Sequence, residues 1–237
     1  MLPKLNDTPK YEFMVPSTGK NVRFRPYLVK EEKVLLTAFA NKDKSHGLKA
    51  IADTVVACSG GTLTHTDLTL YDLQYLFSKI RAKSVGEIVP LNIPCSECKT
   101  KNPVKVDIDN IQLEDMGQRN KKIELTDTIS IELNYPSYIS VLDNEVLMKA
   151  DASDAEILIE TVCESIVAVL TEEERIDMKE ESRSAIREFV ESMDTNQFKA
   201  VKEFVQGGPK LTFSISFDCI SCKHHNDYKI ENINDFF

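Results

Sequence analysis

The sequence predicts an α+β protein with two similar lobes, each built from a β-hairpin, a group of helices and a second hairpin carrying a Cys-x-x-Cys pair. Three observations predict this fold. Short strand-like runs are separated by turn residues, apolar residues recur at helical spacing between those runs, and the same order of elements occurs twice along the chain. The predicted lobes are residues 1–112 and 113–237.

The N-terminal lobe begins with a predicted hairpin, whose strands are residues 11–15 and 21–25 around a turn rich in Pro, Ser, Thr and Gly. Three helices follow, and Thr69 with Asp72 forms a capping box at the start of the third. Residues expected to face the core from the first helix are Val34, Leu35 and Phe39. The helices are predicted at 29–40, 48–58 and 70–83, and the strands beside the first Cys pair at 87–93 and 104–108.

The C-terminal lobe follows the same order but contains more helical residues. Its predicted hairpin is followed by four helices, for which Ser153 and Thr195 are suitable N-caps. The charged residues 171–183 are expected to be solvated. The hairpin strands are predicted at 123–125 and 129–134, the helices at 138–150, 154–170, 184–193 and 196–205, and the last strands at 211–217 and 228–230.

Composition restricts the class of protein. Apolar residues make up 42% and charged residues 28% of the 237 residues, which is ordinary for a globular chain. The net charge of -9 opposes nucleic-acid binding, which depends on Lys and Arg. Neither a signal-peptide pattern nor an apolar run of membrane-spanning length is present, so a cytosol-like compartment is expected. Disulfides are disfavoured there, and closely spaced cysteines indicate a metal site.

Four cysteines form the predicted metal site: Cys95, Cys98, Cys219 and Cys222. Each Cys-x-x-Cys pair places two thiolates on one tight turn, and four thiolates complete the tetrahedron of a structural zinc. We therefore predict one structural Zn²⁺ per chain, shared by the two lobes and leaving no open coordination position. Zinc ribbons usually separate their pairs by about 15–20 residues, and here the separation is far longer.

The residues around the two Cys pairs match at one constant offset, which supports an internal duplication. Both pairs are followed by lysine and asparagine at equivalent positions. The matched residues are Lys99 with Lys223, Asn102 with Asn226, Lys105 with Lys229, Val106 with Ile230, Asp107 with Glu231, and Asn110 with Asn234.

Three alternatives to the zinc site remain open at the level of sequence. In the first, one Cys pair is a redox dithiol, and in the second, the four thiols bind no metal. In the third, His224 or His225 replaces one of the four thiolates as a metal ligand. The remaining cysteines, Cys58 and Cys163, lie on apolar helical patterns and are expected to be core residues.

No set of residues with the pattern of a catalytic site is found, so an enzyme is not predicted. The glutamates of residues 172–181 lie on a polar segment, and His46 and His65 have no nucleophile in register. A nucleic-acid-binding zinc ribbon stays an alternative because five lysines lie near the Cys pairs. They are Lys99, Lys101, Lys105, Lys223 and Lys229.

Several segments together resemble the T-even-type phage baseplate proteins, a family that includes the baseplate hub subunit and hub assembly proteins of contractile-tailed phages. They are residues 15–26 (VPSTGKNVRFRP), 72–77 (DLQYLF), 80–87 (IRAKSVGE), both Cys pairs and the terminal Asp235-Phe236-Phe237. The resemblance covers nearly the whole chain and carries no catalytic residues across.

The resemblance implies a role in virion assembly through contacts with other baseplate and tail proteins, with neither a membrane nor a small-molecule substrate involved. The protein is then expected in the host cytoplasm during assembly, as a transient factor or as a part of the finished tail. Phe236 and Phe237 are candidates for anchoring a partner or for packing on the chain's own core.

Overall fold

Groups of strands and groups of helices follow one another along this chain in a mixed α+β fold. The structure is a computed structural model that describes residues 8–40, 44–114, 122–149 and 151–230. The terminal phenylalanines and the matched positions Glu231 and Asn234 lie outside these residues. Among the described helices, none combines the length and apolar character needed to cross a bilayer.

The secondary-structure elements follow the predicted order closely in the N-terminal part of the chain. The strands are β1 (Tyr11–Val15), β2 (Lys20–Phe24), β3 (Ile88–Pro94), β4 (Lys101–Asp107), β5 (Gln112–Glu114), β6 (Lys122–Glu124), β7 (Ser130–Leu133), β8 (Ile166–Leu170), β9 (Arg175–Asp177), β10 (Lys210–Asp218) and β11 (His225–Ile230). The helices are α1 (Val29–Ala40), α2 (Lys44–Cys58), α3 (Leu70–Val85), α4 (Tyr138–Leu142), α5 (Glu145–Met148), α6 (Asp154–Ser165), α7 (Arg183–Glu191) and α8 (Thr195–Gln206).

Contacts divide the described residues into two compact units. The first unit draws its residues from 1–114 and 210–237, and the second from 115–209. This division differs from the predicted lobes, 1–112 and 113–237, because residues 210–212 pair with β5 and so belong with the N-terminal residues. The division into compact units does not test the internal duplication, which was inferred from matching sequence positions and stays a prediction.

In the first unit, a hairpin and three helices surround an apolar core. β1 and β2 pair antiparallel, with Tyr11 opposite Phe24. The side chains of Leu73, Leu76 and Phe77 on α3 are fully buried, as the helical spacing predicts. The predicted capping box also forms, since Thr69 Oγ1 accepts a hydrogen bond from the backbone N–H of Asp72.

Helix α1 corrects one prediction about the core. Leu35 is buried, but Val34 is 51% exposed, and Phe39 is only partly buried. Adjacent residues on a helix point about 100° apart, so the narrow buried side of α1 cannot include both Val34 and Leu35. Glu31 completes this side instead, with its carboxylate bonded to Arg25 at 2.9 Å and to the Leu28 N–H at 2.7 Å.

Two further hairpins of the first unit carry the cysteine turns. β3 and β4 pair antiparallel from Ile88 opposite Asp107 to Pro94 opposite Lys101. β10 and β11 pair in the same way, and β5 adds a third strand along the far edge of β10. β4, β10 and β11 are longer than predicted, whereas β3 has the predicted length and is shifted by one residue toward the turn.

The second unit is an antiparallel sheet of order β6-β7-β8-β9 packed with helices. Its core includes Leu133, Val162 and Val201, all at most 2% exposed. Tyr135 stacks on Phe204 of α8 with ring centroids 4.9 Å apart. This continuous apolar core is formed entirely by side chains of the second unit.

The prediction of one helix over residues 154–170 was wrong at its C-terminal end. Helix α6 ends at Ser165, and Ile166–Leu170 forms β8, which pairs with both β7 and β9. This run, IVAVL, is rich in β-branched residues, and its place between two strands stabilises the extended conformation.

Two smaller corrections concern helix starts. The predicted helix at 138–150 is two short helices, because Asn144 accepts hydrogen bonds from Val146 N–H and Leu147 N–H and so starts α5. The N-cap of α8 is Asp194 and not Thr195, since the Asp194 carboxylate accepts the first free N–H groups of the helix. Ser153 caps α6 as predicted.

Candidate metal centre

Four cysteine sulfurs lie together where the two hairpin turns of the first unit meet. Cys95 and Cys98 belong to the turn between β3 and β4, and Cys219 and Cys222 to the turn between β10 and β11. All four Sγ atoms lie within 4.8 Å of one another. The two pairs, remote in sequence, are therefore adjacent in space, and the cluster has the ligand atoms to hold one metal ion.

The dimensions of the cluster fit a tetrathiolate metal site. Zinc–sulfur bonds of about 2.3 Å in a tetrahedron place the sulfurs about 3.8 Å apart. The Sγ atoms of Cys95 and Cys222 are 3.7 Å apart, and those of Cys98 and Cys219 are 3.5 Å apart. A disulfide requires sulfurs only about 2.0 Å apart, and all four cysteines are free.

The two cysteine turns have the same backbone geometry. The Lys99 N–H donates a hydrogen bond to Cys95 O at 3.1 Å, and the Lys223 N–H donates to Cys219 O at 3.0 Å. Both lysines occupy the left-handed region, with φ of 60° and 63°. Left-handed lysine is uncommon, so its presence at both matched positions shows that the two turns adopt the same tight form.

Burial differs between the two cysteines of each pair. Cys95 and Cys219, the first members, are fully buried, whereas Cys98 and Cys222 are exposed. One side of the cluster therefore faces the protein interior and the other faces solvent, from which an ion can enter.

Two buried asparagines link the turns to each other, and sequence reasoning did not predict this role. Asn102 Oδ1 accepts a hydrogen bond from Ile220 N–H, and Asn226 Oδ1 accepts one from Ser96 N–H, each at 2.8 Å. Asn102 and Asn226 occupy equivalent positions after the two Cys pairs, and this equivalence is the signal in the sequence that points to a shared role. Their reciprocal bonds show that each hairpin supports the turn of the other.

The thiol pKa values in the cluster do not all shift in the same direction. A side-chain hydrogen bond with Thr100 lowers the pKa of Cys98. The backbone N–H of His224 favours the Cys222 thiolate, but the sulfurs of Cys98 and Cys219 raise the pKa of Cys222 to about 12. Four neighbouring thiolates need a cation before all can be charged together.

His224 and His225, which follow the second Cys pair, are not part of the cluster of possible metal ligands found among the described residues. The His225 ring bonds to Asp218 at 2.7 Å, and the pair is exposed. That bond, together with the nearby Asp227 carboxylate, raises the pKa of His225. His224 is also exposed.

The remaining cysteines occupy apolar surroundings. Cys58 is 2% exposed, and burial raises the pKa of its thiol to about 11. Cys163 is partly buried against the core of the second unit, and burial raises its pKa to about 12. The prediction that both are core residues is confirmed for Cys58 and holds in part for Cys163.

The positive and negative charges of the first unit nearly cancel, and two lysines near the cysteine turns have partners. Lys229 pairs with Glu114 at 2.5 Å, and Lys99 donates to Ser96 O at 2.7 Å. The first unit has 19 Lys and Arg against 17 Asp and Glu, whereas the second has 10 against 21. The acidity of the chain therefore resides in the second unit.

Comparison with known proteins identifies a family. The family model for "T4 bacteriophage base plate protein" matches residues 8–237. No curated protein and no solved structure matches the chain. The match spans both units and both cysteine turns, and it agrees with the resemblance seen in the sequence. This chain belongs to the T4 bacteriophage base plate protein family.

Proposed function

We propose that this protein is a structural or assembly component of the baseplate hub of a contractile-tailed phage. The match to the base plate family over residues 8–237 carries this proposal. The protein acts by binding other baseplate and tail proteins, in the host cytoplasm during assembly, and it either stays in the finished tail or leaves it. In this role the protein is not an enzyme, and it binds neither a small-molecule substrate nor a membrane nor nucleic acid.

In this proposal, Cys95, Cys98, Cys219 and Cys222 bind one structural Zn²⁺ per chain in a zinc-ribbon-like site. Thiolates are soft ligands that suit zinc, and four of them leave no position for water or substrate. The sulfur separations of 3.5 and 3.7 Å support a closed tetrahedron. A closed site supplies stability and no chemistry, which is consistent with a structural role.

An ancestral duplication explains the matched hairpins of this site. The shared left-handed lysines and the reciprocal asparagine bonds support the idea that both cysteine turns descend from one hairpin. We extend this proposal to lobes 1–112 and 113–237, whose order of hairpin, helices and cysteine hairpin is the same.

The two alternative functions receive less support. A redox dithiol normally precedes a helix, whereas both Cys pairs here join antiparallel strands. A nucleic-acid-binding ribbon needs a strongly basic surface, and the charges of the first unit nearly cancel.

Affinity purification of the tagged protein from infected cells tests the hub assignment. We expect other baseplate proteins to be recovered with it, and recovery of nucleic acid alone would contradict the proposal. Mass spectrometry of purified virions then distinguishes a permanent tail component from a transient assembly factor. A permanent component is present in finished tails, whereas an assembly factor is absent from them.

Metal analysis of the purified protein tests the zinc site independently. We expect one zinc per chain, lost in a variant with Cys98→Ser and Cys222→Ser and kept in Cys163→Ala. An absence of bound metal in protein purified without chelator, combined with no uptake of added zinc, would refute the site.

A further inference from the structure

We infer that Asn102 and Asn226 are positioning residues of the metal centre, which hold the two cysteine turns in register for a single ion. This inference rests on the proposed metal site. It goes further by assigning a function to two side chains that are not themselves metal ligands. The geometry that carries it is the exchange of hydrogen bonds between the turns.

Asn102 connects the first hairpin to the second turn. Its side chain is buried, with 2% exposure for the residue. Its Nδ2 donates to Thr100 O in its own hairpin at 2.7 Å, while its Oδ1 accepts from Ile220 N–H at 2.8 Å. Ile220 lies between the ligands Cys219 and Cys222, so the bond acts on the backbone that places both sulfurs.

Asn226 makes the reciprocal connection. It is 5% exposed, and its Nδ2 donates to His224 O at 2.8 Å. Its Oδ1 accepts from Ser96 N–H at 2.8 Å and from Ser96 Oγ at 3.0 Å. Ser96 follows Cys95 as Ile220 follows Cys219, so each asparagine binds the equivalent residue of the opposite turn.

These bonds do not depend on the metal for their partners. The two shortest bonds between the turns each join an amide oxygen to a backbone N–H, and within the described residues no buried side-chain N or O atom lacks a hydrogen-bond partner. The turns can therefore be docked before the ion binds, which lowers the entropy lost on binding. Groups that orient metal ligands in this way commonly change metal affinity by about 10–100-fold when removed.

The two asparagines differ in one respect that sharpens the test. Asn226 Nδ2 also lies 3.6 Å from Cys95 Sγ, to which it donates a hydrogen bond. The second amide contact of Asn102 is Ile93 O at 3.4 Å, a backbone oxygen and not a sulfur. An Asn→Asp change keeps the accepting oxygen in both cases, but only at position 226 does it bring a carboxylate against a thiolate.

The experiment uses the full chain and measures zinc affinity by competition with a chromophoric chelator. The variants are Asn102→Ala, Asn226→Ala, Asn102→Asp and Asn226→Asp. Asn92→Ala is the matched control, because Asn92 lies exposed on β3 of the same hairpin. We expect both alanine variants to bind zinc about 10–100-fold more weakly, Asn226→Asp to be weaker than Asn102→Asp, and the control to match the wild type.

Absorption of the cobalt-substituted protein provides a readout that a general loss of stability would not change. A tetrahedral four-thiolate site gives intense visible bands, and we expect these to be altered in the alanine variants at saturating cobalt. Circular dichroism identifies any variant that fails to fold, and the isosteric aspartates then carry the test.

The possible outcomes distinguish a failure of the positioning role from a failure of the proposed metal site. Wild-type protein that binds no zinc refutes the metal site and this inference with it. Wild-type protein that binds zinc, with alanine variants within about twofold of its affinity and with unchanged cobalt spectra, refutes only the positioning role.

Discussion

The cysteine hairpins of the first unit and the sheet of the second unit are stabilised in different ways. The second unit buries a continuous cluster that includes Ile131, Val162, Val201 and Phe204. The cysteine hairpins are narrow sheets of two and three strands, and a two-stranded hairpin by itself is marginal. Their turns meet through four sulfurs and two asparagine amides. The strands beside the turns bury apolar side chains such as Ile93, Val106 and Ile215, but the turns themselves have few apolar residues and are held by polar and sulfur contacts.

This comparison predicts that metal removal acts on one region only, and the effect is the largest we expect. Apparent zinc binding free energies in small peptides are about 10–16 kcal/mol, so a chelator should loosen the cysteine hairpins markedly. Hydrogen exchange should rise in β3, β4, β10 and β11 and stay unchanged in β7 and β8. The Cys98→Ser and Cys222→Ser variant should behave the same way without chelator.

An equal rise in hydrogen exchange in both units after chelation would contradict the comparison, because it would mean that the second unit also depends on the metal. Cys163→Ala without chelator is the control for the double variant and should keep wild-type exchange in β3, β4, β10 and β11, since Cys163 is not one of the clustered sulfurs.

A core truncation in the second unit should give the next largest effect. Phe204 is 5% exposed and stacks on Tyr135, so Phe204→Ala should lower the free energy of unfolding by about 3–5 kcal/mol. Urea denaturation followed by circular dichroism measures this. The zinc content should stay at the wild-type value, and Ile157→Ala, at an exposed position of α6, should have little effect. A loss of zinc in Phe204→Ala would contradict the comparison, because it would mean that the metal site depends on the core of the second unit.

The buried ion pair beside α1 should contribute less. Burial disfavours the Glu31 carboxylate, but its hydrogen bonds with Arg25 and Leu28 N–H outweigh this and lower the pKa of Glu31. Glu31→Gln should therefore cost about 1–3 kcal/mol in urea denaturation at neutral pH. Glu12→Gln is the control, because Glu12 is in an exposed pair with Arg23 at 3.7 Å.

The pH dependence of this difference has a definite sign. A carboxylate whose pKa is lower in the folded state stabilises the protein above its unfolded pKa, about 4.3 for Glu. The advantage of wild type over Glu31→Gln should be full above that pH and shrink as pH falls through the folded pKa of Glu31. A difference that grows on acidification would contradict the assigned pair.

Surface ion pairs of the acidic second unit should contribute least. Arg187 contacts Glu160 at 3.0 Å and Glu191 at 2.9 Å, with its own side chain 44% exposed. Exposed pairs of this kind contribute about 0–1 kcal/mol, so Arg187→Ala should shift the urea midpoint only slightly. The shift should shrink further in high salt, and a larger effect would show that charge contributes substantially to this unit.

Much of the first unit was predictable because its signals are local. The hairpin turn before Asn21, the capping box of Thr69 and Asp72, and the apolar face of α3 depend on neighbouring residues. The cysteine cluster was predictable for another reason: zinc needs four ligands, and two Cys-x-x-Cys pairs supply them wherever they lie in the chain.

The sequence by itself thus determined the helix starts with strong caps, the turns and the set of four thiols. Only the tertiary structure decided that residues 166–170 extend as β8, that Glu31 and not Val34 faces inward, and that residues 210–230 join the first unit. It also decided the exchange of asparagine bonds between the cysteine turns. The physical reason is common to these cases: a short apolar run, a partly buried helix face or a buried amide takes its conformation from partners distant in sequence, whereas a cap or a turn is satisfied by residues beside it.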